Sequence, residues 1–269
     1  MRAVEAAIGI ASLFSVEVRD PVILADSNNV VVWLAPSPVV AKVGTGHHRS
    51  LSLELAVARH LVQRCAPVVA PASELPQRVH QVEGFEVTFW EYEAHDRDEE
   101  ADPELLGRAL FELHRVLRSY PGRLASYERE LDEVRNVLSQ PAQAPALTNV
   151  DRELLLSALD RFRTELASRE VDQRPLDGSP HSFNVLVADG KPTFIDFETV
   201  CEGPVEWDLA HVGPDTAVAY PGAWNAGVRD LCAALVSVKT ATWCWAGIEH
   251  PELRWHAVHH LDLVKRVMS

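Results

Sequence analysis

The sequence has no apolar run of the roughly 18 residues that a membrane-spanning helix requires, so we expect no transmembrane segment and no membrane partner. Cysteine is scarce, and the four cysteines lack the spacing of a metal site, which favours reduced thiols in a cytoplasmic protein. Positive charge is also scarce: 25 Lys and Arg residues face 39 Asp and Glu residues, a formal net charge of −14. This balance disfavours a nucleic-acid partner. It suits a cationic or neutral partner, or serves solubility alone.

The first 20 residues lack the features of a secretory signal peptide. Their short apolar centre contains a glutamate, and no small-residue cleavage site follows it. We therefore expect an amphipathic surface helix there. The 269 residues suffice for one large or two small domains, and a composition of 47% hydrophobic and 24% charged residues is typical of a soluble globular protein.

A β-hairpin is predicted within residues 176–210. Two short apolar runs, 184–187 and 193–196, flank a turn that contains an Asp-Gly pair. Asn184 and Asp196 are equally distant from Gly190, so we expect them to face each other with Cα atoms about 5 Å apart. An amide oxygen and a carboxylate that converge in this way could bind Mg²⁺, although the same residue types also end strands that have no metal role.

Residues 176–210 resemble the catalytic and metal loops of the aminoglycoside phosphotransferase and choline kinase-like family. Gly178, Asn184, the run Ile-Asp-Phe-Glu at 195–198 and the run Gly-Pro-Val-Glu-Trp-Asp-Leu-Ala at 203–210 match its motifs in order and spacing. The resemblance implies a protein kinase-like fold of the α+β class. It also implies ATP and Mg²⁺ as cofactors, with Asn184 and Asp196 as metal ligands. Asp208 would accept hydrogen bonds from the backbone of the catalytic loop.

One position departs from the family pattern. Where the family has His-Gly-Asp, this sequence has Asp177-Gly178-Ser179, so a serine stands at the usual position of the catalytic aspartate. Two nearby groups could replace that base: Asp177, two residues earlier, and His181, whose imidazole titrates near neutral pH. Ser179 itself could orient the acceptor by hydrogen bonding, but it is no base at pH 7. Asp177 and His181 remain equal alternatives.

The N-terminal part is predicted to contain strands at 30–34 and 39–43 and a helix at 50–63. Lys42 lies inside an apolar strand and requires an anionic partner or a route to water. The resemblance pairs Lys42 with Glu54, which would orient the lysine towards nucleotide phosphates. No glycine-rich loop precedes Lys42. Residues 26–29, Asp-Ser-Asn-Asn, take that place, and their polar side chains and backbone would cover the phosphates.

Two further strands are predicted at 78–82 and 85–90, and the chain then continues through Glu91 and Tyr92. The resemblance implies that this linker binds adenine through the Glu91 carbonyl and the Tyr92 amide. Beyond it the pattern is helical, near 103–117, 122–139, 150–169, 221–246 and 251–268, with a proline-rich break at 140–145. We therefore predict an N-terminal nucleotide-binding lobe (1–91), built on an antiparallel sheet, and a larger, mainly helical lobe for catalysis and acceptor binding (92–269).

The implied function is phosphoryl transfer from ATP to a hydroxyl of a small molecule, such as an aminoglycoside or an amino sugar. The alternative is a nucleotide-binding regulator without catalysis, similar to a pseudokinase. Ser179 favours the regulator, whereas retention of Lys42, Glu54, Asn184 and Asp196 favours the enzyme. A protein kinase is less well supported, because no segment of activation-loop length separates Asp196 from Gly203. The oligomeric state and the identity of the acceptor are left open.

Overall fold

The computed structural model describes residues 2–26, 29–44, 51–95 and 99–269 and confirms the α+β class. Residues 27 and 28 of the predicted phosphate-covering stretch, and the predicted helix start at residue 50, lie outside the described residues. The chain divides into two packed units, one of residues 1–122 and 179–200 and the other of residues 123–178 and 201–269. This division groups residues by packing. The functional boundary between residues 91 and 92 remains a prediction.

The first unit is built on an antiparallel five-stranded sheet in the order β1-β2-β3-β5-β4. Its strands are β1 (Val22–Asp26), β2 (Val30–Trp33), β3 (Val39–Gly44), β4 (His80–Val82) and β5 (Phe85–Glu91). The N-terminal helix α1 (Arg2–Ser12) buries Ala7 and Ile10 against the apolar side chains of this sheet. The predicted amphipathic helix is thus present, and its apolar face belongs to the core of the unit.

Two more helices and a hairpin complete the first unit: α2 (Leu51–Val62), α3 (Pro103–Leu117), β8 (Val185–Ala188) and β9 (Lys191–Phe194). The α3 helix begins as the sequence predicts. The Asp102 side chain accepts hydrogen bonds from the backbone N–H groups of Glu104 and Leu105, and Pro103 occupies the first turn.

The predicted hairpin is confirmed, but its predicted register is wrong by one residue. Val185 pairs with Phe194, and the Ile195 amide donates to the Asn184 carbonyl at 3.0 Å, so Asn184 lies opposite Ile195 and not opposite Asp196. The reason is the turn. Asp189 and Gly190 both have positive φ, 50° and 73°, so they form a two-residue loop whose centre falls between them and not on Gly190.

The second unit is mainly helical. Its helices are α4 (Glu128–Ser139), α5 (Asn149–Ala167), α6 (Val205–Leu209), α7 (Pro214–Ala219), α8 (Ala226–Ala246) and α9 (Leu253–Met268). A small sheet in the order β6-β10-β7 joins them, with β6 (Ala125–Ser126), β7 (Arg174–Leu176) and β10 (Cys201–Gly203). The helix predicted from residue 122 therefore starts later, because Ala125 pairs with Cys201, a long-range contact that helical periodicity does not reveal.

No described helix is long and apolar enough to cross a membrane. The cysteines are all free thiols, and burial raises the pKa of Cys244 to about 11. Three of them lie in the second unit, at Cys201, Cys232 and Cys244, and Cys65 is exposed in the first.

We predict that His260 makes the protein less stable in mild acid. Burial, with the neighbouring His259 and His256, lowers the pKa of His260 from its usual 6.5 to about 4. The unfolded chain therefore takes up the proton first, and the stability present above pH 6.5 is lost as the pH falls towards 4. Because His260 is only partly buried, we expect a loss on the order of 1–2 kcal/mol, a few degrees in Tm.

The measurement is Tm at pH 7 and pH 4.5 for the parent, His260→Gln and the control His250→Gln, whose side chain is 49% exposed. The loss of Tm between the two pH values should be smaller for His260→Gln than for the other two proteins. If Tm falls by the same amount between the two pH values in all three proteins, His260 is not the cause of the lower stability in acid.

Candidate active site

Lys42 lies at the centre of a cluster of three carboxylates in the first unit. It occupies the middle of β3, between Val31 of β2 and Thr88 of β5, and is only 6% exposed. Its Nζ atom is 2.9 Å from Glu54 Oε1, 2.9 Å from Asp196 Oδ1 and 2.7 Å from Glu198 Oε1. The structure therefore brings Lys42 together with Glu54, its predicted partner, and with Asp196, the predicted metal ligand.

Each carboxylate comes from a different local structure. Glu54 lies in the first turn of α2, Asp196 follows β9, and Glu198 belongs to the 3-10 turn Phe197–Thr199. Asp196 has φ 64° and ψ 71°, in the left-handed region that residues other than glycine rarely adopt. Asp196 lies two residues after the end of β9, where the chain leaves the hairpin. Such backbone strain is concentrated at functional sites in proteins.

Charge in this cluster is unbalanced, because three carboxylates surround one ammonium group. Burial, together with the nearby Asp196 and Glu198, raises the pKa of Glu54 to about 7 against the opposing effect of Lys42. Burial alone would lower the pKa of Lys42, but the three carboxylates outweigh it and hold that pKa above its usual value. The lysine therefore stays charged, and the surplus negative charge favours an additional cation.

The carboxylates fit a divalent metal ion. One oxygen each of Glu54, Asp196 and Glu198 lie within 4.8 Å of one another, a spacing that a single ion could bridge. The second oxygen of Glu54, Oε2, is buried and has no hydrogen-bond partner among the described residues. Hard oxygen ligands of this kind suit Mg²⁺, which binds few protein oxygens and leaves positions for phosphate and water.

Asn184 lies opposite Ile195, the residue before Asp196, and its side chain is held by the loop that precedes it. Its backbone carbonyl accepts from the Ile195 amide, next to Asp196, and its side-chain Nδ2 donates to the Ser179 carbonyl at 3.0 Å. The amide group is therefore oriented by the catalytic-loop segment. The role of Asn184 as a metal ligand remains a prediction.

The predicted catalytic loop folds into a tight turn. The His181 amide donates to the Ser179 carbonyl at 2.8 Å, and the Asn184 amide donates to the His181 carbonyl at 2.8 Å. Ser179 is buried, at 7% exposure, whereas His181 is half-buried. Asp177 is fully buried and belongs to the second unit. The assignment of proton transfer to Asp177 or His181 remains a prediction.

Asp208 makes the hydrogen bonds that the resemblance implies. Its fully buried carboxylate accepts from the backbone N–H of Asp177 at 2.8 Å and of Gly178 at 2.9 Å. Gly178 has a φ of 91°, a backbone conformation that a side chain would strain. The glycine and the aspartate together thus set the backbone that leads into Ser179.

In the predicted adenine-binding linker, the structure gives the Tyr92 amide another partner. This N–H donates to the Pro38 carbonyl at 2.9 Å, and the Tyr92 ring stacks on Trp33 at 4.2 Å. The Glu91 side chain accepts from the Ser73 backbone N–H at 2.7 Å. Adenine could therefore bind the Tyr92 amide only if its bond to Pro38 broke.

The predicted site lacks Glu198, a member of this cluster, and Asn29, which contacts Glu198. Glu198 lies in the Ile-Asp-Phe-Glu run that carries the resemblance, but only the fold shows that it reaches Lys42. Asn29, in the predicted phosphate-covering stretch, donates through Nδ2 to Glu198 Oε1 at 2.6 Å. The motif could have pointed to Glu198, whereas no sequence signal connects Asn29 with a residue 169 positions later.

A sequence model of the phosphotransferase enzyme family matches residues 23–254 of this chain. Comparison with curated protein sequences gives no match. Among solved structures, an amicoumacin kinase in complex with AMP-PNP, Ca²⁺ and Ami is similar with a TM-score of 0.75 and 12% identity. The similarity covers 97% of this chain and 93% of that one.

Two other solved structures have the same fold. A choline/ethanolamine kinase family protein from Mesorhizobium loti has a TM-score of 0.71 and 17% identity, over 100% of this chain and 95% of its own. A microcompartment-associated aminopropanol kinase has a TM-score of 0.73 and 17% identity, over 98% and 97%. These likenesses confirm the protein kinase-like fold that the sequence predicts.

We predict that Asp208→Ala destabilises the protein strongly. The substitution leaves two buried N–H groups, of Asp177 and Gly178, without their acceptor. Each unsatisfied buried donor costs about 1–3 kcal/mol, so Tm should fall by several degrees or more. The control is Asp215→Ala, at an exposed position of α7, which should leave Tm within about a degree of the parent. Equal melting temperatures for Asp208→Ala and the parent would contradict the structural role.

Proposed function

Because the chain belongs to the phosphotransferase enzyme family, we propose that it transfers the γ-phosphoryl group of ATP, with Mg²⁺, to a hydroxyl group of a small molecule. The observation that carries this proposal is the contact of buried Lys42 with Glu54, Asp196 and Glu198. A lysine fixed on a strand by a helix glutamate, beside an aspartate that can hold a metal ion, is the arrangement used for phosphate binding in kinases.

Lys42 would bind the phosphates of ATP and neutralise part of their charge. Glu54, fully buried at the start of α2, would keep the lysine in place through the 2.9 Å ion pair. Asp196, Asn184 and Glu198 would hold Mg²⁺. When bound, the ion supplies positive charge that offsets charge on the phosphate oxygens. The surplus negative charge of the cluster supports this assignment.

The loop residues would serve the acceptor. Phosphoryl transfer depends mostly on positioning and electrostatics, so a chain with serine at the base position can still catalyse it. His181 or Asp177 would accept the proton of the acceptor hydroxyl, and the Ser179 hydroxyl would orient that oxygen. The Glu91 carbonyl and the Tyr92 amide would bind adenine once that amide leaves the Pro38 carbonyl.

An acceptor with both hydroxyl and amino groups fits best. The similar solved proteins include an amicoumacin kinase, a choline/ethanolamine kinase family protein and an aminopropanol kinase, which suggests an amine-bearing acceptor for this chain as well. The net charge of −14 is compatible with a cationic acceptor. Aminoglycosides, amino sugars and choline-like amino alcohols are therefore the first compounds to test.

We expect the parent protein to release ADP from Mg-ATP in the presence of at least one of these compounds, and Asp196→Asn to lose about 10²-fold or more of that turnover. The substitution removes one charge and keeps the side-chain shape, so Tm should stay near that of the parent. Release of ADP is measured with each acceptor and without one. The matched control is Asp189→Asn, an identical change at the exposed tip of the same hairpin.

Full activity of Asp196→Asn would end the assignment of this residue to the metal. A parent protein that binds nucleotide but phosphorylates none of the compounds would favour the alternative, a nucleotide-binding regulator.

A second prediction concerns the serine in the catalytic loop. If Ser179 occupies the base position, Ser179→Asp should raise turnover by up to about 10²–10⁴-fold and leave the affinity for ATP unchanged, because a carboxylate can accept the acceptor's proton. Steady-state kcat and the KM for ATP are the measurements.

A fall in turnover would instead show that Asp177 or His181 already acts as the base, since a new negative charge would disturb either group. Asp177→Asn and His181→Gln would then identify which one, by the larger loss of kcat. If Ser179→Asp, Asp177→Asn and His181→Gln all leave turnover unchanged, proton transfer by this loop is excluded.

A further inference from the structure

Trp207 makes a hydrogen bond to the glycine that precedes Ser179. This tryptophan belongs to α6 and is fully buried, and its indole Nε1–H donates to the Gly178 carbonyl at 3.0 Å. The next residue, Asp208, accepts from the Gly178 N–H. Both backbone polar groups of Gly178 are thus held by two consecutive residues of one short helix. The carbonyl that Trp207 holds belongs to the peptide bond between Gly178 and Ser179.

The indole ring of Trp207 is enclosed by three other side chains of the second unit. Tyr127 packs against it at 5.1 Å between ring centres, tilted by 49°. His211 meets it edge-on at 5.4 Å, and Lys239 Nζ lies 5.3 Å from the centre of the indole ring. An ammonium group over a tryptophan face is an attractive contact that depends on the orientation of the ring. These contacts define where the indole N–H points.

Lys239 is a buried charge of α8 for which the proposed chemistry has no direct use. It is 8% exposed and donates to Glu130 Oε2 of α4 at 2.8 Å and to His211 Nε2 at 3.0 Å. The other imidazole nitrogen, Nδ1, lies 2.9 Å from the Trp207 carbonyl. A carbonyl can only accept, so Nδ1 carries the hydrogen and Nε2 accepts from the ammonium group. One defined set of hydrogen bonds therefore connects α4 and α8 to α6.

Stability alone is a poor reason for this arrangement. Well-packed apolar side chains often stabilise a core as much as a buried ion pair does, whereas charged groups with directed hydrogen bonds can specify one geometry. The geometry specified here is that of the Trp207 ring. The indole N–H, the single polar group of this ring, donates to the Gly178 carbonyl. The next residue is Ser179, where the sequence departs from the family pattern.

We propose that Trp207 is a positioning residue for phosphoryl transfer and that Lys239 acts through it. Trp207 fixes the peptide between Gly178 and Ser179, and Lys239, with His211 and Tyr127, fixes the Trp207 ring. The inference rests on the proposed function for its effect on turnover, but its effect on the loop backbone is independent of that function. A loop that lacks the usual aspartate depends on orientation, and small displacements at a reacting centre reduce rates by up to about 10²-fold.

The test compares Trp207→Phe with the parent. Phenylalanine keeps an aromatic ring and removes the N–H donor, so kcat should fall roughly tenfold, the effect of one hydrogen bond, while the KM for ATP stays unchanged. Amide hydrogen exchange in residues 177–181, followed by mass spectrometry, should become about tenfold faster. Trp243→Phe is the control: it makes the same change on α8 at a side chain 39% exposed, and should alter neither quantity.

A second comparison isolates the cation. Lys239→Met is combined with Glu130→Gln, so that no buried carboxylate loses its partner, and should lower kcat and loop protection in the same direction as Trp207→Phe. Lys239→Arg keeps a cation near the ring and should restore both. A purely structural role predicts a lower Tm with kcat and loop exchange unchanged, and that result would overturn the proposal.

The exchange measurement also separates this inference from the proposed function. If the parent phosphorylates no acceptor, the function fails, but faster exchange of residues 177–181 in Trp207→Phe would still support positioning by Trp207. Unchanged exchange in that variant would overturn it, whatever the activity of the parent.

Discussion

The ion contacts of Lys42 are the interaction on which the first unit depends. A buried ammonium group is costly unless anionic partners replace its water, and here three carboxylates do so. Those carboxylates come from α2 and from the segment that follows the hairpin, so the lysine joins parts of the chain 154 residues apart. The same contacts leave the cluster with surplus negative charge, which suits a cation. The same ion contacts therefore hold these parts of the unit together and form the site of the proposed chemistry.

Much of the fold follows from local patterns. The apolar runs predict β3, which carries Lys42, and its neighbour β2, the helical pattern from residue 103 predicts α3, and the Asp-Gly pair predicts the hairpin. These predictions are correct because each depends on neighbouring residues and on side chains with strong local preferences. The resemblance adds Glu54 as the partner of Lys42, which local patterns could not supply, whereas the contacts of Lys42 with Asp196 and Glu198 come from the fold.

Other features depend on geometry that local patterns do not contain. The hairpin register differs by one residue because φ is positive at Asp189 as well as at Gly190, which places the centre of the turn between them. The contact of Asn29 with Glu198 and the pairing of β6 with β10 join residues far apart in the sequence. The Tyr92 amide bonds to Pro38, a contact that depends on how the chain enters β3. Such contacts are properties of the assembled unit.

The division of the first unit between residues 1–122 and 179–200 has a consequence for biosynthesis. When a ribosome has released the first 122 residues, Lys42 can meet Glu54, but Asp196 and Glu198 do not yet exist. At typical elongation rates of about 5–20 residues per second, this lysine waits several seconds for its remaining partners. The first unit therefore cannot finish folding before much of the second has been made. A nascent chain with its sheet formed, but with two of the three carboxylate partners of its central lysine still missing, is a partly folded state of the kind that is prone to aggregation.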